Sequence, residues 1–164
     1  MGSLKGLYIE DENKNIEMLR ALFSFCEGIE IEGVVNAFPQ SAEDFISIIK
    51  EKDIDFVVVD HELEKMVTYK GIDALKAIRT YDENIYAILL TNYPLADYKD
   101  ELGNYDFQLT KDELREPGKV QELVEKIKRA CELRADNRVL AAMSAKHEEQ
   151  KQLLEELKKI CVGR

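Results

Sequence analysis

The sequence lacks paired cysteines, a signal peptide and a long apolar run. Its 164 residues include three cysteines, Cys26, Cys131 and Cys161, which are far apart and have no paired spacing. This spacing excludes a zinc site of paired cysteines and a dithiol redox motif, and it favours reduced thiols in a cytoplasmic protein. No run approaches about 18 consecutive apolar residues, so we expect no membrane span. The first residues lack the apolar core of a signal peptide.

Positive charge is also scarce. The chain has 23 Lys and Arg against 33 Asp and Glu, for a net charge of −10. A nucleic-acid surface needs dense Lys and Arg, so we expect no nucleic-acid partner. The deficit is uneven, because residues 1–118 hold 12 basic against 25 acidic residues and residues 119–164 hold 11 against 8. We therefore expect two structural units.

Short apolar runs alternate with longer amphipathic runs along the first 118 residues. Helices are predicted for residues 15–26, after Ser41 as an N-cap with Asp44 in the capping-box position, for 72–79, between Pro94 and Gly103, and from residue 119. Strands are predicted for residues 4–9, 29–35, 54–59, 86–90 and 105–109. This alternation predicts an α/β fold with a doubly wound, five-stranded parallel sheet.

Acidic residues stand at the ends of two of these predicted strands. Glu10 and Asp11 end the first strand, and Asp60 ends the third. The carboxyl ends of parallel strands share one edge of the sheet, which is where open α/β folds build their sites. Three neighbouring carboxylates repel each other, and such hard oxygen ligands suit Mg²⁺, which shares its remaining positions with water and phosphate. The pattern predicts a magnesium-dependent phosphoryl site.

Two further residues follow strands in the same way, Thr91 after the fourth and Lys111 after the fifth. Together the motifs resemble the receiver domain of two-component response regulators over residues 4–133. That family has a flavodoxin-like fold with strand order 2-1-3-4-5. The motifs that carry the resemblance are LYIEDEN, DFVVVD, GIDALKAIR, AILLT and LTK.

The resemblance implies a role for each of these residues. Glu10, Asp11 and Asp60 would hold Mg²⁺, and the backbone carbonyl of Glu62 would complete the metal shell. Asp60 would be the phosphoacceptor, while Thr91 and Lys111 would each contact a phosphoryl oxygen. No cofactor other than Mg²⁺ is implied. The protein would be a phosphoacceptor with slow self-dephosphorylation rather than an enzyme. It would receive its phosphoryl group from a histidine kinase or a phosphotransfer protein.

The chain also departs from the family pattern. Gln108 stands where the family has a switch aromatic, and Asn92 stands where a small residue follows the threonine. A receiver-like binding scaffold that does not use phosphate is therefore an open alternative. A phosphotransferase of the haloacid-dehalogenase type ranks lower, because Glu62 stands where that family needs a second aspartate. His61 is expected to face solvent.

Residues 134–164 are predicted to form a helical extension. Leucines and other residues recur at coiled-coil spacing: Leu140, Met143, His147, Gln150, Leu154, Leu157 and Cys161. A homodimer through this helix is the favoured interpretation. The open alternative is a hairpin, in which the chain turns near Asp136 and Asn137 and folds back. A helix of this length encodes no DNA-binding or catalytic domain, so we expect signalling by contact with a downstream protein.

Overall fold

The apolar runs form five parallel strands in a single sheet. A computed structural model describes residues 3–33, 39–63, 69–92 and 105–162, apart from the side chains of residues 140, 141, 161 and 162. The strands are β1 (Leu4–Ile9), β2 (Ile29–Gly33), β3 (Phe56–Asp60), β4 (Tyr86–Thr91) and β5 (Phe107–Thr110). Their order in the sheet is β2-β1-β3-β4-β5, which confirms the predicted flavodoxin-like fold.

Helices connect these strands within the described ranges. They are α1 (Asn13–Phe23), α2 (Phe45–Lys52), α3 (Gly71–Tyr81), α4 (Lys111–Leu114) and α5 (Lys119–Val162), and a 3₁₀ turn over Ala42–Asp44 precedes α2. The predicted helix between Pro94 and Gly103 lies outside the described residues, as do residues 34 and 35 of the predicted second strand. The capping box at Ser41 is wrong, because the Ser41 hydroxyl donates to the Glu43 carboxylate instead.

Apolar side chains cover both faces of the sheet, as its doubly wound topology requires. Alternation along β3 places Val57 and Val59 in one buried cluster, with residues of α2 and α3, and Phe56 and Val58 in the other. The second cluster is closed by α1 and by the first part of α5, through Leu123, Val124 and Ile127. Each such side chain contributes about 1.5–3 kcal/mol when it is fully buried.

The register of the sheet brings the predicted site residues to one edge. Ile9 pairs with Val59, so the next residues in each strand direction, Glu10 and Asp60, lie side by side. Thr91 pairs with Thr110, which places Lys111 directly after the sheet on the neighbouring strand. Asp60 itself is the last residue of β3 and pairs with Leu90. Parallel pairing alone therefore assembles the carboxylates and the lysine.

The chain divides into two compact units, Met1–Cys131 and Glu132–Arg164. The helix α5 begins in the first unit and supplies the described part of the second. Asp136 and Asn137 both lie within this helix. Among the described residues, no helix combines the length and the apolar character needed to cross a membrane.

Gly71 fixes the approach of α3 to the end of β3. A Cβ atom at this position would fall inside contact distance of the Asp60 carbonyl oxygen, and 2.7 Å from Cγ1 of Val59. We expect Gly71→Ala to lower the free energy of unfolding by about 2 kcal/mol, because the backbone of Asp60 cannot yield without disturbing the sheet. Urea unfolding measures the change. The exposed neighbour provides the control, since Lys70→Ala should change stability by less than about 0.5 kcal/mol; equal effects would contradict this account.

Candidate functional site

Glu10 is a buried carboxylate held by donors from its own neighbourhood. Glu10 is only 1% exposed to solvent. The backbone N–H groups of Asp11 and Glu12 donate to Oε1 at 2.9 and 3.1 Å, where the chain leaves β1 and turns toward α1. The Asn15 amide and the Tyr8 hydroxyl donate to Oε2 at 3.2 and 3.4 Å. These bonds fix the carboxylate at the sheet edge.

Asp60 is equally buried and is bound from two sides. The backbone N–H of Glu62 donates to Oδ1 at 3.0 Å, and Nζ of Lys111 lies 2.7 Å from Oδ2. The same ammonium group lies 3.9 Å from Oε2 of Glu10. One lysine therefore contacts both buried carboxylates, which is the pairing that buried charges need. Lys111 itself remains 20% exposed.

Burial and neighbouring charges shift the pKa values of Glu10 and Lys111. Burial raises the pKa of Glu10 well above its ordinary value, and the hydrogen bonding and negative charge of Asp60 raise it further. Burial alone would lower the pKa of Lys111, but the bond to Asp60 and the charges of Asp60 and Glu10 outweigh it, so the pKa rises. The lysine is thus held in its charged form.

These groups line an open pocket of about 190 Å³ at the carboxyl edge of the sheet. Its lining is almost wholly polar or charged and consists of Glu10, Asp11, Glu12, Asn15, Asp60, Glu62, Asn92 and Lys111. The backbone N–H of Asn92 donates to the Glu62 carboxylate at 3.1 Å across this lining. The pocket therefore offers an anionic wall with one cation, open to small charged molecules.

The donor set fits a hard divalent cation, although it is not arranged as a finished ligand shell. Within the described ranges, no group of three or more His, Cys, Asp or Glu side chains is placed to hold a metal. The reason is visible in the contacts: Glu10 faces backbone amides and Asp60 faces Lys111. The carboxylates of Glu10, Asp11 and Asp60 nevertheless line one pocket and supply the oxygen ligands that Mg²⁺ prefers.

Thr91 is fully buried at the end of β4, and the pocket lining of described residues does not include it. Its hydroxyl accepts a hydrogen bond from the Gln108 amide at 3.4 Å. The Tyr105 hydroxyl in turn donates to the Gln108 carbonyl oxygen at 2.9 Å. A chain of two hydrogen bonds therefore connects Thr91 to Tyr105 through Gln108, the residue that stands where the family pattern has an aromatic side chain.

Sequence reasoning placed some residues wrongly and missed others. His61 does not face solvent: the residue is buried, its backbone N–H donates to the Leu90 carbonyl oxygen at 2.9 Å, and burial lowers the pKa of its side chain. Tyr8 and Asn15 were missed as partners of Glu10. The strand period offered a signal for Tyr8, because residues two apart share a face. At Glu62, the described contact to Asp60 comes from the amide.

Comparison with known proteins agrees with this geometry. A family model described as the response regulator receiver domain matches residues 7–128. Among solved structures, the receiver domain of the Francisella response regulator 1452 is 20% identical, with a TM-score of 0.59 over 79% of this chain and 98% of that chain. A receiver domain protein from Clostridium thermocellum is 22% identical, with a TM-score of 0.61 over 80% and 97%.

A third solved structure is the response regulator TrrA of Thermotoga maritima in complex with Mg²⁺–BeF. It is 23% identical, with a TM-score of 0.57 over 77% of this chain and 98% of that chain. At these identities the likeness concerns the fold. No curated protein sequence matches the chain.

The chain belongs to the response regulator receiver domain family, because the family model covers well over half of its length. Receiver domains act in phosphorelay signalling, as phosphoacceptors rather than as true enzymes. They bind Mg²⁺ and interact with histidine kinases or phosphotransfer proteins. Family membership removes the haloacid-dehalogenase alternative.

The raised pKa of Glu10 predicts that the stability of the metal-free protein depends on pH. Because the folded state raises the pKa of this carboxyl above its ordinary value of 4.5, its ionisation opposes folding at higher pH. We expect Glu10→Gln to raise the free energy of unfolding of the metal-free protein by about 1 kcal/mol at pH 8, with the gain fading as the pH falls toward 4.5. Urea unfolding at both pH values measures it.

The exposed Glu125 supplies the control, since Glu125→Gln removes the same charge without relieving a buried one. It should change stability by less than about 0.5 kcal/mol at either pH. A Glu10→Gln protein that is less stable than the parent at pH 8 would show that the four hydrogen bonds to Glu10 outweigh its burial.

Proposed function

We propose that Asp60 accepts a phosphoryl group in a phosphorelay and that the chain then signals by contact with a downstream protein. The observation that carries this proposal is the position of the Asp60 carboxylate, which lies between Nζ of Lys111 and the Glu62 amide in an open acidic pocket. A nucleophile needs such placement, because phosphoryl transfer depends on positioning and charge neutralisation more than on covalent assistance.

In the transfer, a carboxylate oxygen of Asp60 forms a bond to phosphorus as the bond from phosphorus to the donor breaks. The leaving group keeps that electron pair, and the product is an acyl phosphate on Asp60. Lys111 is placed to offset the added negative charge, since its ammonium already contacts the nucleophile. Thr91 would hydrogen-bond a phosphoryl oxygen, which requires its hydroxyl to leave or share the contact with Gln108.

Mg²⁺ would be held by Glu10, Asp11 and Asp60, with the backbone carbonyl of Glu62 completing the shell. When bound, the ion neutralises charge on the phosphoryl oxygens. The chemistry of the pocket supports this assignment, because the acidic side chains that line it outnumber the single ammonium group of Lys111 and therefore still repel each other. The Thermotoga protein, which has the same fold, is in complex with Mg²⁺–BeF.

A histidine kinase or a phosphotransfer protein is the proposed donor. The acceptor is not a turnover enzyme, and only slow hydrolysis of its own acyl phosphate is expected. The output is proposed to be a protein contact, because the described part of the second unit is a single helix. A nucleic-acid partner is not proposed, given the net charge of −10.

One observation favours a second candidate, a receiver-like scaffold that does not use phosphate. The Thr91 hydroxyl already accepts a hydrogen bond from Gln108, in a buried relay that continues to Tyr105. A threonine held in this way is less available to a phosphoryl oxygen. The labelling experiment below separates the two candidates.

We expect a small-molecule phosphodonor such as acetyl phosphate to add one phosphoryl group to the protein, with Mg²⁺ required. Mass spectrometry and acid lability of the product measure it. Asp60→Asn should abolish the label, because no carboxylate remains to attack phosphorus. Asp53→Asn is the matched control: Asp53 has a left-handed backbone (φ 51°) that asparagine also adopts, so labelling should persist. Equal labelling in both variants would contradict the assignment; no label in the parent would favour the scaffold.

Mg²⁺ is expected to stabilise the folded protein because the unfolded chain has no assembled site. At a concentration about a hundredfold above the dissociation constant, the gain is about 2.7 kcal/mol. Thermal melts in Mg²⁺ and in EDTA measure the shift. Asp11→Asn should remove most of it, whereas Asp53→Asn should keep it. An equal melting temperature in Mg²⁺ and in EDTA would count against the metal site. It would not contradict a positive result in the labelling experiment.

A further inference from the structure

The second unit carries most of the exposed apolar surface that the described residues present. Within the described ranges, nine large apolar side chains are exposed, and seven of them lie between Leu133 and Ile160, with exposed fractions of 57–66%. Among the described residues of the first unit, only Phe25 and Tyr81 are in this class. Scattered exposed apolar side chains are ordinary, but a concentration of this kind on one helix marks a surface that a partner covers.

These side chains form two apolar patches with a polar centre between them. The first patch contains Leu133, Val139 and Met143, and the second contains Leu153, Leu154, Leu157 and Ile160. Between them on the same stripe lie Lys146, His147 and Gln150. Six of these residues fall at the core positions of one heptad repeat, namely Leu133, Met143, His147, Gln150, Leu154 and Leu157, and the other four, Val139, Lys146, Leu153 and Ile160, flank them. We call these residues the seam.

We propose that the seam of one chain binds the seam of a second copy in antiparallel orientation. The core heptad positions 140, 143, 147, 150, 154 and 157 read apolar, apolar, polar, polar, apolar, apolar, so their pattern is unchanged when the helix is reversed about the midpoint between His147 and Gln150. Reversal places Met143 opposite Leu154 of the second copy and residue 140 opposite Leu157. It also places the polar pair His147 and Gln150 opposite each other, so that both polar positions coincide. A second copy of this helix therefore matches the polar and apolar positions of the seam, which few unrelated partners would do.

Charge selects the antiparallel orientation over the parallel one. Residues 132–147 hold three basic and two acidic residues, whereas residues 148–162 hold three basic and four acidic residues. An antiparallel pair brings these opposite net charges together. A parallel pair would oppose like halves, would place Asp136 against itself, and would bring Lys146 next to Lys151 of the partner at flanking positions. Like charges at such positions destabilise a pair.

The polar centre also fixes the register. A slip by one heptad would oppose His147 with an apolar side chain of the second copy and would leave a buried imidazole without a matching polar group. Single polar residues in an apolar seam specify register at a cost in stability. This association uses none of the residues of the acidic pocket, so it stands or falls independently of phosphorylation at Asp60.

A charge-reversal experiment on the full chain tests the orientation. Met143→Glu and Leu154→Lys are each expected to weaken dimerisation at least about tenfold, because each buries an unpaired charge. The double variant should regain much of the affinity in an antiparallel dimer, since the two new charges of opposite sign then meet across the interface. In a parallel dimer each new charge would meet its own copy, and the double variant would stay dissociated. Sedimentation equilibrium measures the affinity.

Ala145→Glu with Gln152→Lys introduces the same charges on the opposite face of the helix and provides the control, which should dimerise like the parent. Far-UV circular dichroism of each variant shows whether the helix persists. A parent chain that is monomeric at all concentrations overturns the proposal. So does a dimer that the single variants leave intact, or one that the double variant does not restore. Single variants that lose helix and dimer together, with both restored in the double variant, support it.

Discussion

The burial of Glu10 beside Asp60 is the constraint on which the rest of the site depends. Two carboxylates at 1% exposure are unfavourable unless each has hydrogen-bond donors and a counter-charge. The turn after β1 supplies two amides to Glu10, Glu62 supplies one to Asp60, and Lys111 contacts both carboxylates. The parallel register of the sheet places Lys111 after β5 where it can supply this counter-charge, so the fold itself makes the burial of the two carboxylates possible.

The same arrangement bears on the proposed binding of a cation and a phosphoryl group in the pocket. One ammonium group against several acidic side chains leaves the pocket anionic, and an anionic phosphate cannot enter it without further neutralisation. A bound divalent cation would reduce this excess of negative charge, so that Lys111 could pair with a phosphoryl oxygen instead of a carboxylate. Under the proposed function, phosphorylation of Asp60 would therefore transfer the contact of Lys111 from the Asp60 carboxylate to the phosphoryl group.

The sequence predicted the parts of the site that depend on strand order. Glu10, Asp60 and Lys111 could be placed together because parallel strands end at one edge, and the structure brings them into contact. Asn15 could not be predicted, because its bond to Glu10 depends on the angle at which α1 leaves the turn. His61 was assigned to solvent because a loop position carries no periodic signal, whereas the residue is buried and its backbone N–H bonds to β4. The continuity of α5 through Asp136 shows that turn-favouring residues do not break a helix formed by good helix formers on both sides.

The two units differ in which side chains they bury. The first unit buries charge at its sheet edge and leaves few large apolar side chains exposed, whereas the second exposes apolar side chains along one helix. A helix of this kind gains little from intrinsic propensity and depends on packing of its apolar face for most of its stability. Any influence of phosphorylation on self-association therefore requires that the phosphorylated and unphosphorylated chains differ in their free energy of dimerisation. Since the pocket residues take no part in the seam, such coupling would have to come from a change in the first unit that alters how α5 is presented, and not from contact between the phosphoryl group and the dimer interface.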